Sequence, residues 1–144
     1  MKIKIKKVHE KAIVPKYARK GDAGMDVYSV EGLIVKSKER KLISTGLSFE
    51  IPEGFEIQVR PKSGLALNHG LTIVNTPGTL DSGYRGELKV ILLNTGENDY
   101  EIKPGEKIAQ IVLARYEQAE IEEVSELSDS ERGAGGFGST GLKT

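Results

Sequence analysis

Lysine and isoleucine alternate from Lys2 to Lys7, which places Ile3 and Ile5 on one face of a strand and the lysines on the other. Short segments rich in β-branched and apolar residues predict further strands at Leu33–Lys36, Lys41–Ile43, Leu47–Ile51, Phe55–Arg60, Leu71–Val74, Glu87–Asn94 and Lys107–Tyr116. Leu88 to Leu93 and Ile108 to Leu113 are nearly continuous apolar runs, the pattern of strands covered on both faces. Pro52-Glu-Gly54, Thr76-Pro-Gly78, Asn94-Thr-Gly96 and Pro104-Gly105 punctuate these segments as turns. The single helical candidate is Ser63 to His69, with Ser63 placed to cap it and Gly70 to stop it. The pattern predicts an all-β, jelly-roll-like sandwich or barrel with one short helix and no internal repeat. Apolar periodicity ends near Ser128. Residues 1–127 therefore read as one domain, and residues 128–144, with only Ala134, Phe137 and Leu142 as apolar side chains, as a mobile Gly-rich C-terminal arm.

Composition narrows the chemistry. The 144 residues carry 21 basic and 21 acidic side chains, so zero net charge argues against a stable coat on nucleic acid or an anionic membrane. Residues 1–20 hold eight Lys/Arg against one Glu, but their alternation with isoleucine marks a solvated strand face rather than a nucleic-acid arm. No apolar run reaches membrane-spanning length and no apolar stretch follows the basic N-terminus, so a cytoplasmic setting is expected. With no cysteine and two histidines, thiol nucleophiles, cysteine–zinc sites and multi-histidine metal sites drop out. Catalysis is left to carboxylates, hydroxyls, Lys/Arg and backbone.

The densest signal is Arg132-Gly-Ala-Gly-Gly-Phe-Gly-Ser-Thr-Gly141. Its G-x-G-x-x-G match is spurious, because that motif needs a strand before it and a helix after it. Its near-match to a P-loop lacks the lysine. Successive glycines nevertheless let backbone N–H groups approach phosphate oxygens, Ser139 and Thr140 add hydroxyls, Arg132 adds a delocalised charge, and Phe137 can stack on a base. A plain Gly/Ser tail is the competing reading. Gly78-Thr-Leu-Asp-Ser-Gly-Tyr-Arg-Gly86 sets Asp81 and Tyr84 in a turn, where Asp81 is either a turn former or a base for water. Pro61-Lys-Ser-Gly-Leu65 opens the helix as an ordinary cap or a phosphate contact, and Asp22-Ala-Gly-Met-Asp-Val27 is by itself an unremarkable turn.

Together with Gly105-Glu-Lys-Ile-Ala-Gln110, these segments resemble, in order and from residue 22 to residue 141, the five signatures of the trimeric deoxyuridine triphosphatases. The main departure is Lys62, where that family usually has Arg; lysine keeps the charge but lacks the planar fork. Gly83, where the family often has an acidic or small polar residue, is a lesser one. The resemblance implies a homotrimer with shared active sites that hydrolyses dUTP to dUMP and pyrophosphate with Mg²⁺. It further implies a role in limiting uracil incorporation into DNA and in supplying dUMP for dTMP synthesis. By the same resemblance, Asp81 activates the water that attacks the α-phosphorus, and Asp26 stands near Asp81 and the hydrated metal without binding it directly. Tyr84 packs beneath the deoxyribose, while Asn75, Gly78, Thr79 and Leu80 meet the uracil edge. Lys62, Ser63, Gly64, Lys89 and Gln110 contact the substrate, with phosphate oxygens assigned to Ser63, Gly64 and Gln110. Phe137 covers the uracil, Gly138 is a further substrate contact, and Arg132, Ser139 and Thr140 hold the γ end. Two rivals stay open: a dCTP deaminase of similar fold, and a non-catalytic trimeric nucleotide-binding module. The complete fifth motif disfavours the first, and the presence of Asp81 the second.

Overall fold

The computed structural model describes residues 1–136. Ten strands and one helix follow each other as β1 (Lys4–Lys7), β2 (Gly24–Tyr28), β3 (Leu33–Val35), β4 (Arg40–Glu50), β5 (Phe55–Arg60), α1 (Ser63–His69), β6 (Leu71–Ile73), β7 (Gly78–Leu80), β8 (Glu87–Asn94), β9 (Tyr100–Ile102) and β10 (Lys107–Arg115). All pairings are antiparallel. One sheet has the order β1-β4-β8-β6, the other β2-β10-β5-β7, and β3 and β9 form a separate pair. Alternation along each strand turns one face inward, so Ile43, Leu47, Leu88, Val90 and Leu92 of the first sheet share one core with Val27, Ile57, Val59, Ile108 and Ile111 of the second. Among the described residues no helix is long and apolar enough to cross a membrane.

Several expectations need adjustment. The two strands expected at Lys41–Ile43 and Leu47–Ile51 are one strand, β4, which continues through Ser44, Thr45 and Gly46. This polar gap is affordable in the interior because Thr45 Oγ1 donates to the Leu88 carbonyl at 2.6 Å and the Gly46 N–H donates to Glu87 Oε1 at 2.8 Å. The run Leu88–Leu93 is not covered on both faces within the chain. Leu88, Val90, Leu92 and Asn94 are buried, Ile91 and Leu93 are half-buried, and Lys89 is exposed. Gly24–Tyr28 is a strand rather than a turn, with Met25 and Val27 in the core and Asp26 and Tyr28 on the other face.

Helix α1 has the expected bounds but not the expected cap. Lys62 occupies the N-cap position in extended conformation (φ −97°, ψ 128°), no side chain caps the end, and Ser63 is the first helical residue. At the other end Gly70 adopts φ 67°, the left-handed geometry that glycine reaches without a Cβ penalty, and its N–H returns to the Ala66 carbonyl. Among the described residues, regular structure ends at Arg115. Residues 116–136 carry neither helix nor strand, and Ile121 and Leu127 on this segment are each 87% exposed.

Candidate active site

Two groups of the expected residues line two different parts of the surface. The first part is a cavity of about 580 Å³ between β7 and β8, lined by Asn75, Gly78, Thr79, Leu80, Asp81, Tyr84 and Lys89 with apolar walls from Leu42, Val59, Ile73 and Ile91. Backbone builds it. Strand β7 is tied to β5 in the register Gly78↔Val59, Thr79↔Gln58 and Leu80↔Ile57, and this places Asp81 immediately beyond the last ladder pair. Leu80 points into the core, so Asp81 on the next position faces solvent. Among the described residues, the Asp81 carboxylate takes part in no hydrogen bond or ion pair.

Tyr84 follows the turn that the Tyr84 N–H closes on the Asp81 carbonyl at 3.1 Å. Its ring folds back over Gly86, and its hydroxyl donates to the Glu87 carbonyl at 3.1 Å. A Cβ at position 86 would lie 2.3 Å from the Tyr84 hydroxyl and 2.4 Å from Cζ, so only glycine leaves the ring its seat. Arg85 turns back onto the turn itself, donating to the carbonyls of Ser82 at 2.6 Å and Tyr84 at 3.0 Å. Lys89 lies 3.5 Å from Glu87 on the same strand.

The second part is held by charge rather than by ladder bonds. Asp26 on β2 faces Gln110 on β10. Its Oδ2 accepts from Lys107 Nζ at 2.8 Å, and its Oδ1 from Lys62 Nζ. Partial burial pushes the Asp26 carboxyl up, but the two ammonium groups outweigh it and hold the carboxyl below its usual range. The same contact raises the Lys107 ammonium above its usual range. Gln110 Nε2 donates to the Pro61 carbonyl at 2.9 Å, fixing the chain just ahead of Lys62. Asp26 and Gln110 line one shallow concavity, and Lys62, Gly64 and Lys107 line an adjoining one. Ser63 is exposed on the first turn of α1, beside Gly64.

Within one chain, then, Asp26 does not share a cavity with Asp81. Arg132 is exposed, donates from Nε to the Gly135 carbonyl at 2.8 Å, and lines neither part. Phe137, Gly138, Ser139 and Thr140 lie outside the described residues. Gly86 as the seat of Tyr84 and Lys107 as a partner of Asp26 were not singled out from sequence. For Lys107 a signal existed, since it stands three positions before Gln110 in the fourth motif.

Comparison with known proteins identifies the family. The dUTPase family profile matches residues 10–141. The deoxyuridine 5'-triphosphate nucleotidohydrolase of Nautilia profundicola is 60% identical over 141 residues, covering 98% of this chain and 99% of that protein. The enzyme of the same name from Clostridioides difficile is 57% identical, covering 97% and 98% respectively. Among solved structures, the Staphylococcus bacteriophage 80alpha dUTPase with dUPNHPP is 30% identical and superposes with a TM-score of 0.91 over 98% of this chain and 99% of that one.

Proposed function

Because this chain belongs to the dUTPase family and is a dUTP diphosphatase, we propose that its two surface parts are fractions of one catalytic centre, completed by neighbouring copies in a homotrimer. The observation that carries this is the separation just described: the nucleoside-sized cavity at Asp81 and the cationic patch at Lys62, Gly64 and Lys107 are built on one chain yet do not form one pocket. Assembly also gives a use to apolar surface that the single chain leaves open. Leu42 is 58% exposed at the cavity wall, and Ile121 and Leu127 are 87% exposed on the segment after β10.

In this reading the uracil edge meets the polar groups of Asn75 to Leu80, and Tyr84 packs beneath the deoxyribose where a 2′-hydroxyl would need room. Cytosine reverses part of the donor and acceptor pattern of uracil, leaving buried polar groups unpaired at about 1–3 kcal/mol each. Lys62, Ser63, Gly64 and Gln110 of a neighbouring copy hold the triphosphate in line. Asp81 accepts the proton of the attacking water, for which its vacant lone pairs suit it. The water oxygen bonds to the α-phosphorus, the bond to the bridging oxygen breaks, and pyrophosphate leaves. No group of three metal-ligating side chains converges among the described residues. A Mg²⁺ ion fits this chemistry when held chiefly by phosphate oxygens and waters, where it supplies charge neutralisation. Both oxygens of Asp26 are already engaged by ammonium groups, so Asp26 would meet such an ion through water. Residues 131–144 contribute Arg132, Phe137, Ser139 and Thr140 as a cover over the bound nucleotide.

Subunit mixing tests the shared centre. Asp81→Asn and Gln110→Ala chains, each inactive as pure assemblies, are unfolded together, refolded and assayed for pyrophosphate release from dUTP. If each centre takes Asp81 from one copy and Gln110 from the next, every mixed trimer regains one centre, and an equal mixture recovers about a quarter of normal activity. No recovery from a mixture that sediments as trimers means that each chain carries a complete centre of its own.

A further inference from the structure

We propose that Lys107 is a second triphosphate-binding residue, held beside Lys62 by the shared Asp26 carboxylate so that two ammonium groups act together as a two-pronged cation. The inference deepens the triphosphate reading of the Lys62 patch and rests on it. Lysine at position 62 offers one compact ammonium, and a lone ammonium cannot grip two phosphate oxygens in the fixed parallel geometry of a guanidinium fork. The structure supplies a second prong. Asp26 accepts Lys62 on one oxygen and Lys107 on the other, from separate elements: the segment ahead of α1 and the start of β10. Two ammonium groups around one carboxylate make a triad with one positive charge in excess, at the edge of the concavity that the two lysines line with Gly64 and Leu65.

The neighbouring acids keep their charge, but their hydrogen bonds go to other donors and neither forms an ion pair with Lys62 or Lys107. Glu106, which lines the same concavity, accepts the Tyr100 hydroxyl on Oε1 and the Lys103 N–H at 2.9 Å on Oε2. Asp22, in the adjoining concavity, accepts the Arg19 N–H at 2.8 Å. The Lys107 side chain is 52% exposed, which leaves its ammonium room to turn toward an arriving phosphate, whereas the Lys62 side chain is 26% exposed and more constrained. An anion with several charges therefore meets one anchored and one swinging ammonium.

The test measures binding of non-hydrolysable dUpNHpp by calorimetry and inhibition by deoxyuridine, which has no phosphate, for Lys62→Met, Lys107→Met, Lys107→Arg and the double variant Lys62→Arg/Lys107→Met. Loss of one charge-assisted bond should weaken dUpNHpp about tenfold or more in Lys107→Met and leave deoxyuridine unchanged. Lys107→Arg should restore binding to within about threefold, and dUpNHpp affinity should become less sensitive to salt in Lys107→Met. With arginine at 62 the fork does the work of both prongs, so adding Lys107→Met should cost about two- to threefold only. If Lys62→Met weakens dUpNHpp while Lys107→Met binds it within twofold of the unmodified protein, Lys107 is not a substrate contact. If Lys62→Met also binds normally, the triphosphate reading of the patch falls and the proposal falls with it. Equal losses for dUpNHpp and deoxyuridine in Lys107→Met overturn it as well, since they mark a collapsed patch.

Discussion

Two carboxylates of this chain sit in opposite circumstances. Asp26 is 21% exposed and spends both oxygens on ammonium groups, which hold it ionised below the usual carboxylate range. Asp81 sits exposed at the end of β7, in a cavity made by backbone and apolar walls, and no partner among the described residues engages its carboxylate. A carboxylate anchored by two cations is committed to them, while one without such partners beside a nucleoside-sized cavity is placed to meet a water. Sequence placed both residues in catalysis. Geometry separates them, and the division proposed above makes Asp81 the base and Asp26 the post to which the cationic patch is tied.

Breaking the open side of this comparison should have the largest effect. Asp81→Asn keeps shape and removes the base, so turnover should fall about 10²–10⁴-fold while dUpNHpp binding stays within several-fold. Near-normal turnover in that variant would exclude Asp81 as the base and erase the contrast with Asp26. Next in size is removal of residues 131–144, which should lower turnover by at least about 10²-fold by leaving the triphosphate uncovered and misaligned. Among the described residues no strand or helix lies beyond Arg115, so melting temperature should barely change. Loss of folding on truncation would show that this segment is part of the core instead.

Sharpening the comparison needs a smaller change at the cavity. Gly86→Ala puts a methyl where the Tyr84 ring lies, and the ring must swing away. The base stays in place, so turnover with saturating dUTP should be nearly preserved. Preference for dUTP over UTP should drop about tenfold, the scale of one displaced specificity contact. Tyr84→Phe, which removes only the bond to the Glu87 carbonyl, should show a smaller loss. Unchanged discrimination in Gly86→Ala would mean that Tyr84 does not gauge the sugar.

What could be read from residues alone follows a physical division. Strands whose apolar positions are dense, such as β5, β8 and β10, announce themselves because burial dominates their energetics. Strand β2 hides, because a glycine and two carboxylates surround its two core residues and look like a turn. Strand β9 hides because only Ile102 of its three residues is buried. The cap of α1 was misread for a related reason: Lys62 takes the cap position because its side chain is drawn to Asp26 from outside the helix, a contact 36 residues away that no local rule contains. Motif residues were legible one by one. That Lys107 reaches the same carboxylate as Lys62 depends on the β10–β2 register and becomes visible only when the sheet is built.

The smallest expected effect concerns stability and the anchored side of the comparison. The Asp26 carboxyl is depressed in the folded chain, so its ion pairs stabilise the fold above the unfolded carboxylate value and stop doing so as pH falls through the folded one. Lys107 is raised by the same contact, so that contribution is complete below the unfolded ammonium value and fades only as pH rises through the folded one. The window is thus bounded by about pH 4 on the acid side and about pH 10 on the alkaline side. Inside it, Asp26→Asn should cost about 0.5–1 kcal/mol, the upper range for pairs that water still reaches. A drop in melting temperature of a few degrees at pH 7 should follow. As pH falls below the unfolded carboxylate value and on through the lower folded one, the unmodified carboxyl takes up its own proton and the gap between the two melting curves should close. A gap that stays constant from pH 7 far into acid would mean that Asp26 contributes through packing and neutral hydrogen bonds, and the ionic tie between Lys62 and Lys107 would lose its thermodynamic basis.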